Sequence, residues 1–231
     1  MSRFRWYGAS WPHSMRVMAK RLKSQPFDED HADGFVIDRI RDDFVEARYV
    51  ERVEYTDTIT DPFGNELLYP RVDFRMCEFR ISQEGPGLEL IDSPRSTQGM
   101  LSRLAEAADF SLAVISLKVD VLAWASSLQS IAEIDLLVDS LQIGSMELDR
   151  DIAAKVIIKG RKDVRDAAKM LVNGKRHNLE KIQLRLRGKS KGTILLTNVG
   201  GAKIDVDPRD ETRVALRESL RRLLLLKTST E

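Results

Sequence analysis

The sequence predicts an α+β fold: a mainly antiparallel sheet with helices packed on one face, arranged as two similar strand-helix-multistrand-helix halves. Three observations lead there. Segments with apolar side chains at every second position outnumber segments with the i, i+3, i+4, i+7 spacing of an amphipathic helix. Turn residues cut the alternating stretches into neighbouring strands rather than strand-helix-strand units. One order of elements occurs twice, in residues 1–109 and again in residues 110–231, where a basic helix is inserted at about 163–172.

The elements follow in order. Residues 3–9 read as a short strand carrying Phe4, Trp6 and Tyr7. Met15, Met18, Ala19 and Leu22 share one helical face, and Pro26 ends that helix because the residue before proline avoids the helical region. Residues 27–33 are an acidic loop. Phe35 and Ile37 open a strand, and a longer one runs from about Phe44 to Thr58 with Val45, Ala47, Tyr49, Val53 and Tyr55 on one side. Asp61-Pro62-Phe63-Gly64-Asn65 is turn chemistry. The returning strand, about Leu67 to Ser82, changes the phase of its alternation near Met76-Cys77, which predicts a bulge there. Gly85-Pro86-Gly87 turns the chain into a strand at Leu88 to Ile91. Ser93-Pro94 then predicts a helix start, with Met100, Leu101, Leu104, Ala105 and Ala108 as the buried face.

The second half opens with a strand at about Ser111 to Val119. Asp120 caps a helix whose Val121, Trp124, Ala125 and Leu128 share a face. Strands follow at about Ile134 to Ile143 and Ala153 to Lys159. The added helix buries Val164, Ala167, Ala168 and Leu171 and stops at Asn173-Gly174. Short strands at 180–187, 193–198 and 202–206 lead to a last helix opened by Asp207-Pro208. Val214, Leu216, Leu220, Leu223 and Leu224 suffice for its buried face. Leu225 and Leu226 make it apolar nearly all round, which suits a core helix or a contact with a second subunit.

At the entry to each closing helix, Leu90-Ile91-Asp92-Ser93-Pro94-Arg95 lines up with Ile204-Asp205-Val206-Asp207-Pro208-Arg209. A unit of strand, helix, four strands and helix resembles the saddle-like repeats of TATA-binding protein and its structural relatives. The resemblance is one of element order; it implies a fold and carries no site residues across.

Composition excludes several classes. Of 231 residues, 42% are hydrophobic and 32% charged, a globular balance rather than a disordered one. The longest apolar run, Val121 to Ala125, falls far short of the roughly 20 residues needed to cross a bilayer. One cysteine, Cys77, allows neither a disulfide framework nor a Cys-rich zinc site. The N-terminus lacks the apolar core of a secretory signal, so a cytoplasmic setting is expected. His13, His31 and His177 have no partner at metal-ligand spacing, and no Gly-x-Ser-x-Gly elbow occurs. Gly188-Lys189-Ser190-Lys191-Gly192 reads as a hairpin turn: a phosphate loop needs glycine where Gln183 stands. Asp73 and Glu78 are the nearest approach to a metal-binding carboxylate pair. The expectation is a protein without catalytic residues, cofactor, metal or membrane contact.

Charge placement carries the functional signal. Residues 1–25 hold six cations and no acid; residues 26–154 hold 11 cations and 27 acids; residues 155–191 hold 13 cations and three acids. In the strand Lys181-Ile182-Gln183-Leu184-Arg185-Leu186-Arg187 the cations alternate with buried positions, and Lys189 and Lys191 extend that side. Arg165 and Lys169 stand one turn apart on the outer face of the added helix, beside Arg161 and Lys162, with Lys175 and Arg176 just after it. A phosphate backbone suits such a stripe, because each Lys or Arg contact releases condensed counterions. Aromatic side chains are missing from the segment, so contact with backbone or duplex fits better than base stacking. The expected function is therefore a non-catalytic nucleic-acid-binding protein, DNA or RNA, within a larger assembly. The alternatives are an adaptor that docks proteins through segregated charge and, third, a metal-dependent nuclease.

Overall fold

A computed structural model describes residues 1–187, 192–205 and 210–228. Among them are eleven strands and five helices. The first half runs β1 (Ser2–Ser10), α1 (Met15–Lys23), β2 (Asp33–Ile40), β3 (Phe44–Thr60), β4 (Glu66–Ser82), β5 (Gly87–Ile91) and α2 (Gln98–Ala107). The second runs β6 (Ala113–Ser116), α3 (Val121–Ala132), β7 (Leu136–Asp149), β8 (Ile152–Lys159), α4 (Arg165–Val172), β9 (His177–Leu186), β10 (Thr193–Thr197), β11 (Gly201–Asp205) and α5 (Asp210–Thr228). The described ladders β1–β11, β11–β10, β10–β9, β9–β7, β7–β8, β2–β3 and β3–β4 are all antiparallel.

The chain forms two compact units that interleave along the sequence. One comprises Ser10–Gln83 and Leu90–Ala113, the other Met1–Ala9, Glu84–Glu89 and Val114–Glu231.

In the unit built on β2, β3 and β4, the expected face of α1 is sealed: Met15, Met18, Ala19 and Leu22 are buried. Opposite them lie Phe35, Val45, Ala47, Tyr49, Cys77, Phe79 and Ile81, with Phe35 edge-on to Phe79 at 5.7 Å. Burial pushes the Cys77 thiol up to about 12. Helix α2 begins at Gln98, not at Ser93-Pro94. Asp92 takes a left-handed conformation (φ 43°), and the chain stays irregular until Thr97; serine and proline serve turns as readily as helix starts. Its buried residues are Met100, Leu104 and Ala107, followed by Ala108, while Leu101 and Ala105 are only partly covered.

The predicted bulge at Met76-Cys77 is absent. β3 and β4 pair in one unbroken register from Phe44↔Ser82 to Thr60↔Glu66. Alternation along an unbulged strand sends even and odd positions to opposite faces. Cys77, Phe79 and Ile81 therefore face the core, whereas Leu68, Val72, Phe74 and Met76 form an exposed apolar row on the other side. The phase change marked a change of face, and the far part of the hairpin is an arm that no helix covers. Tyr55, Ile59, Leu67 and Tyr69 are exposed on its odd face, and Phe63 at the tip is 90% exposed. The tip is the expected turn: the Asp61 carboxylate accepts from the N–H groups of Phe63 (2.8 Å) and Asn65 (2.9 Å). Gly64 supplies the positive φ, 87°.

In the other unit the strand order is β1-β11-β10-β9-β7-β8. Inward residues Phe4, Trp6, Ala202, Ile204, Ile194, Leu196, Ile182 and Leu184 are buried. Helix α3 lies against β9 and β10 and packs on α5. Asp120 caps α3 as predicted, accepting from the N–H groups of Leu122 (2.9 Å) and Ala123 (3.1 Å). Trp124 meets Trp6 edge-on at 5.7 Å and donates its indole N–H to the buried Ser219 hydroxyl at 2.9 Å. The stripe of α5 is Ala215, Leu216, Ser219 and Leu220. Val214, expected inside, is 57% exposed, because the buried stripe is two residues wide and begins one position later. Leu223 and Leu224 are half-buried, and the side chains of Leu225 and Leu226 lie outside the described residues. The carboxylate of Glu89 is buried and takes two bonds from Arg217 of α5, at 2.6 and 3.1 Å.

Candidate nucleic-acid interface

The chain leaves β8 at Gly160, whose N–H donates to Asp139 O (3.0 Å), and Val164 N–H donates to Val138 O (3.0 Å). These bonds fix Arg161, Lys162 and the start of α4 beside one end of β7. The same end holds Arg185 and Arg187, since Leu137 pairs with Arg185 and Arg187 N–H donates to Asp135 O (2.9 Å). Helix α4 is lightly held: of its own residues only Ala168 is buried, with Val164 just before it. Leu171, expected inside, is 39% exposed and Ala167 is exposed as well. An eight-residue helix resting on one strand has too small a footprint to cover a full face.

All nine described candidates are exposed: Arg161, Lys162, Arg165, Lys169, Lys175, Arg176, Lys181, Arg185 and Arg187. Lys189 and Lys191 lie outside the described residues. The nine are strung out rather than clustered. Arg161, Lys162, Arg165, Arg185 and Arg187 gather at one end, and Lys181 sits midway along β9. Lys175 and Arg176 stand at the other end, on the order of 30 Å away at the usual strand rise. There Arg176 shares a cleft with Glu147, Asp149 and Asp151.

Three cations already hold carboxylates. Arg165 grips Asp163 at 2.8–3.1 Å, which raises its own pKa and holds the Asp163 carboxyl below the usual carboxylate range. Lys169 is 4.0 Å from Asp166. Arg185 is 2.6 Å from Asp139, a carboxylate that is only 3% exposed and also accepts from Gln183 Nε2 at 3.1 Å. Asp139 is the extra residue where the β7–β9 register slips between Val138 and Ser140. Such a bulge re-aims a side chain, here toward Arg185. Arg161, Lys162, Lys175, Arg176, Lys181 and Arg187 make no ion pair with any described residue.

The register adds cations that sequence reasoning missed. Arg185 pairs with Thr193 and Lys181 with Thr197 on β10; Leu195 and Thr197 pair with Lys203 and Gly201 on β11; Lys203 and Gly201 pair with Arg3 and Arg5 on β1. Directly paired residues share a face. Arg3, Arg5, Lys203, Lys181 and Arg185 therefore stand on one side of four adjacent strands, all exposed, opposite the side that α3 covers. Threonine and glycine separate Lys181 from Arg5, whereas Gln183 and Leu195 lie in the row of Lys203, and the exposed Asp205 lies across Thr193 from Arg185. From Arg5 through Gly201 and Thr197 to Lys181 is about 14 Å at ordinary strand spacing. Arg5 also lies over the Tyr7 ring, 4.9 Å from its centroid. The available signal was the basic N-terminal stretch, whose first two arginines the β1–β11 pairing delivers to this face.

Asp73 and Glu78 are five positions apart on an unbulged strand, hence on opposite faces of β4, and cannot share one ion. Among the described residues no group of three His, Cys, Asp or Glu converges on a possible metal position. No helix among them is long and apolar enough to cross a membrane. No protein-family model matches the chain, and no curated protein matches its sequence.

Proposed function

We propose that the chain is a non-catalytic nucleic-acid-binding protein, a subunit of a larger assembly, which holds a phosphate backbone through β9 and α4 and across the sheet face to Lys203 and Arg5. The observation that carries this reading is the one-sided register of Arg5, Lys203, Lys181 and Arg185 on an uncovered four-strand face. Cations separated by threonine and glycine suit backbone contact, which positions a strand without reading its sequence. A single cysteine keeps a reducing, cytoplasmic setting as the expectation. The order of elements in residues 1–109 and 110–231 supports reading the halves as a duplication, similar in order to the TATA-binding-protein repeat. The second half departs from that order by α4 and one further strand.

The test targets cations without a carboxylate of their own. Changing Arg161, Lys162, Lys181 and Arg187 to Glu should abolish binding of labelled DNA and RNA oligonucleotides by the full chain in an anisotropy titration, with the circular dichroism unchanged. For the unaltered protein, about six phosphate contacts predict a slope of log K against log salt near −5. Retained affinity in the quadruple variant, or a salt-independent constant, defeats the assignment.

A second reading, an adaptor docking acidic proteins, draws on the carboxylates already held by Arg165, Lys169 and Arg185. A protein complex that survives nuclease treatment, with an A260/A280 ratio free of nucleic acid, favours it.

A further inference from the structure

The basic face is wider than the four strands from β1 to β9. Gln142 on β7 pairs with Lys181 and, on its other side, with Ile157 on β8. One row therefore runs Ile157, Gln142, Lys181, Thr197, Gly201, Arg5 across six strands. Ser140 pairs with Gln183 and Lys159, and the neighbouring row runs Lys159, Ser140, Gln183, Leu195, Lys203, Arg3. None of these residues is buried, whereas Leu141, Ile182, Leu196, Ala202 and Phe4, between the two rows and on the opposite face, all are. Five strand spacings make the face about 24 Å broad. The two rows carry five cations and no carboxylate. Lys159, Lys181 and Lys203 make no ion pair with any described residue. The next row, Arg185–Thr193–Asp205, adds one charge of each sign.

Breadth and composition together discriminate between forms of nucleic acid. The grooves of a duplex are about 12 and 6 Å wide, and the wider one admits a helix or a two-stranded ribbon. A six-stranded face enters neither groove of an undeformed duplex and meets only its outer phosphates. Phosphates ask for donors alone, and the two rows hold more than donors. Gln142 and Gln183 give their amide N–H groups to Glu180 (2.7 Å) and Asp139 (3.1 Å), which fixes each amide and leaves its carbonyl oxygen as an acceptor. Ile157 is exposed and Leu195 half-buried, two apolar spots among the polar side chains. Tyr7 follows Arg5 on the same side of β1, half-buried, with the Arg5 guanidinium 4.9 Å from its ring centroid. The basic segment has no aromatic side chain of its own; β1 brings one to the same sheet. Acceptors, apolar spots and an aromatic ring match the amino groups and π-faces of unpaired bases, which a duplex keeps stacked inside.

We infer that this face takes a single strand of DNA or RNA, its bases laid on the sheet and its phosphates against the lysines and arginines. The inference rests on the nucleic-acid reading above and narrows its ligand to an unpaired strand.

The test is an anisotropy titration of the full chain with a labelled mixed-sequence strand of about 16 nucleotides, alone or annealed to its complement, at one salt concentration. The single strand should bind at least about tenfold more tightly. Tyr7→Ala combined with Ile157→Ser should weaken the single strand about tenfold and leave the duplex constant and the circular dichroism as they were. Tyr7→Phe, which keeps the ring, should keep the preference. Lys159→Ala combined with Lys203→Ala should make the slope of log K against log salt for the single strand shallower by about 1.4. Equal or tighter binding of the duplex overturns the inference and leaves the phosphate-contact reading standing. A preference that survives Tyr7→Ala/Ile157→Ser, or a slope indifferent to the lysine pair, overturns it too, because the strand then lies elsewhere. Binding of neither form defeats the underlying reading and this inference with it.

Discussion

Arg185 holds Asp139 at 2.6 Å, and that bond matters to stability whatever the residue contacts outside the molecule. Asp139 is buried in the β7 bulge, and removing its cation leaves a charge stranded out of water. Arg185→Ala should therefore lower stability by about 3 kcal/mol, at the small end of the range for broken buried pairs because the guanidinium is half in solvent. An unfolding free energy lowered by less than about 0.5 kcal/mol in a urea titration contradicts this. Lys181→Ala, two strand turns away and unpaired, should change stability little. A second residue-scale prediction concerns Asp33, which accepts from Arg103 Nε (2.8 Å) and Nη2 (2.7 Å) and from the Tyr49 hydroxyl (2.8 Å). The Arg103 bonds hold its carboxyl below the usual range despite partial burial. A depressed carboxylate contributes stability above its unfolded value near 3.9 and loses it as pH falls through the lower, folded value. Arg103→Met should cost about 1–2 kcal/mol at pH 7, reduced by the partial exposure of the pair. The difference from wild type should fade below about pH 4 in denaturant titrations. A constant difference from pH 7 to pH 2 refutes the linkage.

Elements were legible where their signal is local. The spacing of Met15, Met18 and Leu22 gives α1, and Asp120 with Val121, Trp124 and Leu128 gives α3 with its cap. Asp61 to Asn65 gives the arm's turn. Legibility failed where partners decide. The shift of alternation in β4 looks like a bulge only on the assumption that apolar side chains must face a core. In the arm they face water, and both phases are real. Ser93-Pro94 was equally ambiguous between turn and helix start. The arm also allows a prediction at this scale. Pro70 removes a donor from the outer edge of β4, while the Phe74 N–H is held by Asp73, so Pro70→Thr opens a run of edge groups from Leu68 to Val72. The variant should scatter light on incubation at 37 °C where wild type stays clear. Equal turbidity in both would show that proline does not guard this edge.

At the scale of the whole molecule, the charge segregation was readable at once and its geometry was not. The cations of 155–191 and those of residues 3 and 5 lie almost 200 positions apart at their extremes, and no local pattern announces that β1, β11, β10 and β9 are neighbours. Likewise the Asp139 bulge depends on the β7–β9 ladder and has no signature of its own. The acidic middle of the chain supplies carboxylates to its own arginines: Asp33 to Arg103, Glu51 to Arg75, Asp57 to Arg71. From the basic segment Arg185 takes Asp139. Finally, Cys77 is the chain's one thiol and is sealed in the sheet, with a pKa near 12. In the folded protein that thiol is closed to thiol-directed reagents at neutral pH. A single cysteine engineered anywhere on the arm or the basic face becomes a unique handle for a spin label or dye, with no background reaction to remove first.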